Sequence, residues 1–537
     1  MAIIMNTITM KTTHRIIATA VALAIILPSC DGLTDFGDIN KSPNAPSTAF
    51  SEYLFSYACR YVPYFVLGSA TNGYDPWQQE WTGYLSESKN NQYGPLGTTS
   101  QYSTSTIYLY PLKNLHLIVQ MNEDEAQKGN PNVVSFGSNA NQIAAAKTLA
   151  AFYYMSLTDI NGPIILSEAF KGASDDNWKP AYDSQESVYT QLDESLSQAH
   201  RMFDESSSLS AADILYKGDI SKWKKFNASL RMLLAIKLCD VAPDVGKARF
   251  AAAYNDGGME SVSDGFNFRY DDLSWNMLYY WCSPDYSGAG FNAVPNMFIV
   301  EQMKELKDNR MFKYFDIEGY KGARDPAKFP RDLHSSFYGN PFGLKDNNAV
   351  AAFNNVCCCV NSSLLAIDAT VPVIPTARVL LTEAEAAFRG WISADPKTLY
   401  EKGIMASFEQ WGADGAADYI ASDGVAYIDS DGLNRIAIQR WIASYLSDGV
   451  EVWSDWRRLD IPYMPVGPGA IDIGNMHYPY RIGYYSDTDI AYNYENYLKA
   501  VAQLSGGKDD ISNRVWWDVA DNRTGVLTEE QCTPPIL

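Results

Sequence analysis

Histidine is scarce in this sequence, and the motifs built on it are missing. The 537 residues include five His. His14 lies in an N-terminal signal segment, and His116, His200, His334 and His477 are scattered at no metal-ligand spacing. They read as solvated or structural. There is no H-E-x-x-H, G-x-S-x-G, Walker loop or G-x-G-x-x-G, so zinc proteolysis, nucleophile-elbow hydrolysis and nucleotide binding have no sequence support. Cysteine is equally unhelpful as a framework. Beyond Cys30 there are Cys59, Cys239, Cys282, Cys357, Cys358, Cys359 and Cys532, an odd set that leaves at least one unpaired within the chain. "CCC" has no second Cys pair at zinc spacing. On a strand, Cys357 and Cys359 would face one side and Cys358 the other. All are expected to be small apolar core residues.

Positive charge is also short. Lys and Arg total 42 against 63 Asp and Glu, a net charge of −21. Nucleic acid selects for basic faces, and anionic lipid does the same, so neither is an expected partner. "YIDSDGLNR" holds Asp429 and Asp431 before Gly432 but lacks the rest of a calcium loop, and is expected to be a plain turn. No cofactor or metal is expected.

The N-terminus is informative. "KTTHR" precedes "IIATAVALAIILP", an apolar run of signal-peptide length, and Met10 makes a better start than Met1. "LPSC", Leu27 to Cys30, has the form of a bacterial lipoprotein cleavage site. The expected organisation is a signal peptide over 1–29, a lipidated extended tether over 30–48 beginning at Cys30, and a single domain over 49–537. No second run of 18 or more apolar residues follows, so the membrane would be met through the lipid alone.

Aromatics are plentiful at 13%, with 35 Tyr and 13 Trp. Several segments carry apolar residues at helical spacing. "NQIAAAKTLAAFYYMSLTD" places Ile143, Ala146, Ala150 and Tyr153 on one stripe. "SQESVYTQLDESLSQAHRMF" does the same with Val188, Leu192, Leu196, Ala199 and Phe203. Pro111 is expected to break or start a helix within "TIYLYPLKNLHLIVQMN". Between about 257 and 377 the period weakens while Gly, Asn, Pro and aromatics rise, the mark of loops and short strands. The fold class expected is mainly α. Tetratricopeptide-like helix pairs over 49–256 and 378–503 would frame a large irregular, loop-rich, ligand-facing insertion. An irregular helical bundle is the alternative.

Motifs spread along the chain carry a family resemblance. "DFGDINKSPNAPS", "YYMSLTDINGPIILSEAFKG", "PAYDSQESVYTQLDESL", "DILYKGDISKWKKFNASLRMLLA", "LTEAEAAFRGW", "YEKGIMASFEQWG", "IQRWIASY", "GVEVWSDWRRLDIP", "YPYRIGYYSDTDIAYN" and "VWWD" occur in order, and the chain resembles the SusD/RagB family of outer-membrane lipoproteins. It departs at Asn161, where the family often has Gly, at "GPIIL", where "GDIPY" is usual, and at "CCC". The resemblance implies four tetratricopeptide-like units with an irregular ligand-facing half. It implies a non-enzymatic, cell-surface binder of glycans or other nutrient oligomers, acting with a SusC-like TonB-dependent transporter. Asp31, Asp35 and Asp38 look like a surface-export signal after the lipidated Cys.

Sugar rings pack on aromatic planes while their hydroxyls need polar partners. Two stretches have that composition. One carries Asn90, Asn91, Tyr93 and Tyr102; the other carries Trp275, Tyr279, Tyr280, Trp281, Asp285 and Tyr286. A peptide-binding member of the same family and a surface glycoside hydrolase are the competing readings; the latter needs two convergent carboxylates with no local motif. "VWSDWRRLD", Val452 to Asp460, looks chemical but matches a signature shared across binders of unlike ligands. It is expected to be buried scaffold.

Overall fold

Short polar side chains start the long helices by accepting backbone N–H groups that have no partner inside the helix. Ser138 accepts from Asn141, Ser184 from Ser187, Asp219 from Lys222 and Asp395 from Thr398. The ends are equally local: Gly412, left-handed at φ +58°, closes the helix that Asp395 opens. These features belong to a computed structural model that describes residues 49–64, 77–87, 104–271, 276–283, 293–317, 327, 329–341, 343–345, 356–469, 478–484, 487–519, 525–528 and 530–532.

The principal elements in chain order are α1 (Ser51–Cys59), α2 (Trp77–Trp81), β1 (Leu85–Glu87), α3 (Lys113–Glu123), α4 (Asn139–Asn161), α5 (Gln185–Met202), α6 (Ile220–Ile236), α7 (Pro243–Asp256), β2 (Phe266–Arg269), α8 (Met277–Cys282), β3 (Ala293–Pro295), α9 (Met297–Glu305), β4 (Phe315–Asp316), β5 (Cys359–Val360), β6 (Thr370–Ile374), α10 (Thr376–Phe388), α11 (Pro396–Trp411), α12 (Gly432–Ala443), α13 (Gly449–Leu459) and α14 (Tyr494–Val501). Successive helices pack on one another: α3 on α4, α4 on α5, α6 on α7, and α10 on α11 and α12. The expected mainly α scaffold of helix pairs is therefore observed. Among the described residues the strands form three two-stranded antiparallel pairs, β1–β3, β2–β6 and β4–β5. All six lie outside the helix pairs, and five of them fall in the weakly periodic middle of the chain. Residues Ser51–Leu537 make one compact unit. Among the described residues no helix is long and apolar enough to cross a membrane.

Two local expectations need correction. Helix α4 does not bury one stripe; residues on every side of it are buried, from Asn141 to Asn161, because α3, α5, α6 and α13 all pack against it. Ala144, Ala145, Ala146 and Ala151 make that close approach possible. Pro111 neither breaks nor starts a helix. It sits inside a π-turn, Tyr108–Leu112, which runs on into α3 with helical backbone at Lys113. The wider turn tolerates a residue that has no N–H to donate. The stripe of α5 is observed: Val188, Leu192, Leu196, Ala199 and Phe203 are all buried.

Candidate functional site

The two aromatic stretches are about 180 residues apart in sequence, yet their described flanks meet. Strand β1 leads into the first stretch and β3 leaves the second. They pair antiparallel with Glu87 opposite Ala293 and Leu85 opposite Pro295. Asn340 locks this pair from the side: its Nδ2 donates to Ser86 Oγ (3.0 Å) and its backbone N donates to Pro295 O (2.8 Å). Asn296 extends the link, donating through its backbone N to Tyr84 O (2.9 Å) while its side chain caps α9. Gly339 is required here, because a Cβ would lie 2.3 Å from Met297 Cα.

The opposite flanks converge on α1 and the turn after it. Arg60 donates two hydrogen bonds to the Asp271 carboxylate, at 2.8 and 3.0 Å, where the chain enters the second stretch. The Tyr64 phenol is within reach of the Thr106 side chain, just beyond the first stretch. Four flanks of two candidate loops thus meet on one scaffold, the arrangement by which a rigid frame carries binding loops.

Helix α8 is the described part of the second stretch. Asn276 starts it by accepting from Leu278 N and Tyr279 N, and holds it by donating to Leu364 O and Ala366 O at 2.9 and 2.7 Å. Tyr279 is 41% exposed and Tyr280 is partly buried. Trp281 is 4% exposed and stands edge-on to Tyr280 at 4.9 Å, so its indole packs the core and supplies no open platform. Its Nε1 has no hydrogen-bond partner among the described residues. Cys30, Asn90, Asn91, Tyr93, Tyr102, Trp275, Asp285 and Tyr286 lie outside the described residues. Cys357, Cys358 and Cys359 are buried beside Gly339 and Asn340, with Cys358 N donating to Tyr338 O. Strand β5, which begins at Cys359, packs against β3.

"VWSDWRRLD" is buried, as its shared signature implied. It forms most of α13, capped by Asp448, and Trp453, Trp456, Arg457 and Arg458 are all inside. The Arg457 guanidinium lies 3.6 Å from the Trp453 ring centroid and 4.7 Å from that of Trp517. It donates to Asp159 O and Tyr480 O at 2.8 and 2.9 Å. Burial pushes its pKa down to about 10. Around it, Lys237, Arg378, Arg440 and Arg458 face Asp159, Glu385, Glu451 and Asp455. Burial pushes the Asp455 carboxyl up, but Arg440, Arg378 and Arg458 outweigh it and hold the value at about 2. These charges compensate one another inside the protein, leaving little for a ligand.

Among the described residues burial raises several carboxyls toward the range of a general acid, Asp518 to about 6, and two of them further. Burial, then the neighbouring Glu260, lifts Glu383 to about 8; burial, then Glu451, lifts Asp448 to about 8. Asp448 is committed to capping α13, and Glu383 sits on α10 of the helical scaffold. Neither belongs to the flanks of the aromatic stretches. Asp431 accepts from Arg435 Nε at 3.0 Å, and among the described residues no group of three His, Cys, Asp or Glu could hold a metal.

A family model described as "Starch-binding associating with outer membrane" matches residues 43–485. Solved structures share the fold. A SusD homologue from Bacteroides uniformis superposes with a TM-score of 0.70 at 24% identity, covering 87% of this chain and 100% of that one. One from Bacteroides fragilis gives 0.71 at 20% identity, covering 86% and 99%. A chitin-binding SusD homologue from Flavobacterium johnsoniae gives 0.66 at 23% identity, covering 88% and 98%. No curated protein sequence matches.

Proposed function

Because the chain belongs to the SusD-like family, whose description is starch-binding and associating with the outer membrane, we propose that it is a glycan-binding lipoprotein of the cell surface. Cys30 carries the lipid, and the bound oligosaccharide passes to a SusC-like TonB-dependent transporter. The ligand is a neutral hexopyranose polymer, of the chemistry that starch and chitin share. The chitin-binding relative of the same fold supports this choice. The observation that carries the reading is the meeting of four loop flanks at β1–β3, Arg60–Asp271 and Tyr64–Thr106. It puts the described flanks of two aromatic and amide-rich stretches on one frame. Their rings suit sugar C–H faces, and Asn90 and Asn91 suit hydroxyls.

Titration of amylopectin and chito-oligosaccharides against the wild-type protein and against Tyr93→Ala and Tyr279→Ala tests the reading. Each folded variant is expected to bind about tenfold more weakly, as loss of a ring worth ~1.4 kcal/mol would produce. Unchanged affinity in both would remove the assignment. A peptide ligand would appear as binding to oligopeptides and to none of the glycans. Release of reducing ends from these glycans would favour a hydrolase, with Glu383 and Glu260 as the pair to mutate first.

A further inference from the structure

Beside α1, outside both candidate stretches, three tyrosine rings gather at the surface. Tyr57 is 41% exposed and Tyr110 is 43% exposed. The Tyr61 and Tyr110 rings are nearly parallel, 5.6 Å apart with an interplanar angle of 12°. Tyr57 stands 5.5 Å from Tyr61 and 6.4 Å from Tyr110, tilted to both. The Tyr57 and Tyr61 hydroxyls are 3.2 Å apart. Leu109, 59% exposed, continues the apolar rim.

This grouping is built by two local features. Tyr57 and Tyr61 are one helical turn apart along α1 and its continuation, so they share a face. The π-turn around Pro111 then turns Tyr108 inward, where its hydroxyl donates to Ile165 O at 2.6 Å, and leaves Leu109 and Tyr110 outward. π-turns are uncommon and concentrate at functional sites. Burying these rings against the core would have stabilised the fold further, so their exposure points to another role.

The chemistry of the surface narrows the occupant. Tyr57, Tyr61, Leu109 and Tyr110 carry no charge, and the adjacent Arg60 and Asp271 neutralise each other. On a chain of net charge −21, an uncharged ring surface suits a neutral ligand. Burial, then the Tyr57 hydroxyl, pushes the Tyr61 phenol up, so it keeps its proton and can donate to a sugar oxygen. Arg60, on the same stretch of chain as Tyr57 and Tyr61, bonds Asp271 at the described edge of the second candidate stretch.

We infer that Tyr57, Tyr61 and Tyr110 form an accessory stacking surface for a neutral pyranose chain whose first units are held at the loop site. The inference rests on the glycan reading above. It predicts a dependence on chain length. The test is titration of maltotriose, maltoheptaose, chitotriose and chitohexaose against the wild-type protein, Tyr57→Ala/Tyr110→Ala and Tyr57→Phe/Tyr110→Phe. The alanine pair is expected to weaken the longer member of whichever series binds by about tenfold and to leave the trimer unchanged, while the phenylalanine pair retains long-chain binding. Unchanged long-chain affinity in the folded alanine pair would overturn the inference and leave the glycan reading standing. An equal loss for the trimer would overturn the accessory role. Intact glycan binding with lost association to the transporter would reassign the surface to a protein partner. Failure of the wild-type protein to bind any of the four sugars would overturn the glycan reading, and this inference with it.

Discussion

At residue 383 a carboxyl group sits where ionisation is unfavourable. Glu383 is buried on α10, with the charge of Glu260 nearby, and its pKa stands at about 8 against an ordinary 4.5. The neutral form is therefore the one the fold accepts. Its stabilising effect is full below the ordinary value and is lost as pH rises through about 8, at up to ~1.4 kcal/mol for each pH unit between the two values. Asp448 acts in the same direction. Urea unfolding of wild type and Glu383→Gln at several pH values between about 5 and 8 checks this. The wild-type protein should lose stability across that range, and the variant should lose less. Equal slopes would mean that the Glu383 carboxyl is solvated. The sequence showed 63 acidic residues and no way to rank them, because a raised pKa comes from surroundings that α7, α10 and the chain after α7 supply together. Arg457 makes the same point. Its type and its neighbours Trp453 and Trp456 were visible, and the shared signature suggested scaffold, but its bonds to Asp159 O and Tyr480 O join parts of the chain that no local pattern connects.

Among the elements, β1–β3 is the pair that joins the described flanks of the two candidate stretches. Three residues from each strand pair, and Asn296 and Asn340 hold them in register. The close passage of Gly339 over Met297 makes that arrangement possible. Gly339→Ala should force a shift, destabilise the protein by ~1–3 kcal/mol, and weaken glycan binding by moving the loop flanks. Differential scanning calorimetry with a parallel titration checks both parts. An unchanged melting temperature would show that the backbone yields without cost. Strands this short have too few residues to display a period of two, so nothing in the sequence marked them. The long amphipathic helix α5 was legible for the opposite reason, since five buried positions repeat at helical spacing. The π-turn at Tyr108–Leu112 was missed because a proline in a helical pattern ordinarily signals a boundary, and only packing against α1 and α4 keeps this one continuous.

At the scale of the whole molecule, attachment to the membrane and the fold are separate matters. The described residues contain no helix suited to crossing a bilayer, and the attachment proposed above is the lipid on Cys30. Cys30→Ala in cells given an alkynyl palmitate analogue should abolish labelling and move the protein out of the membrane pellet, while the purified soluble body keeps its glycan affinity. Labelling that persists in the variant would place the lipid elsewhere or remove the lipoprotein reading. The sequence by itself determined the family and the helical class. Those properties are carried by residues close together in the chain or by motifs in a fixed order. The tertiary structure alone decided that Trp281 packs inward while Tyr279 faces outward, that the flanks of two distant stretches share one frame, and that Tyr57 and Tyr110 meet at the surface. Burial and convergence arise from contacts such as Trp441 Nε1 with Thr82 O, 359 residues apart, and a linear pattern contains no term for them.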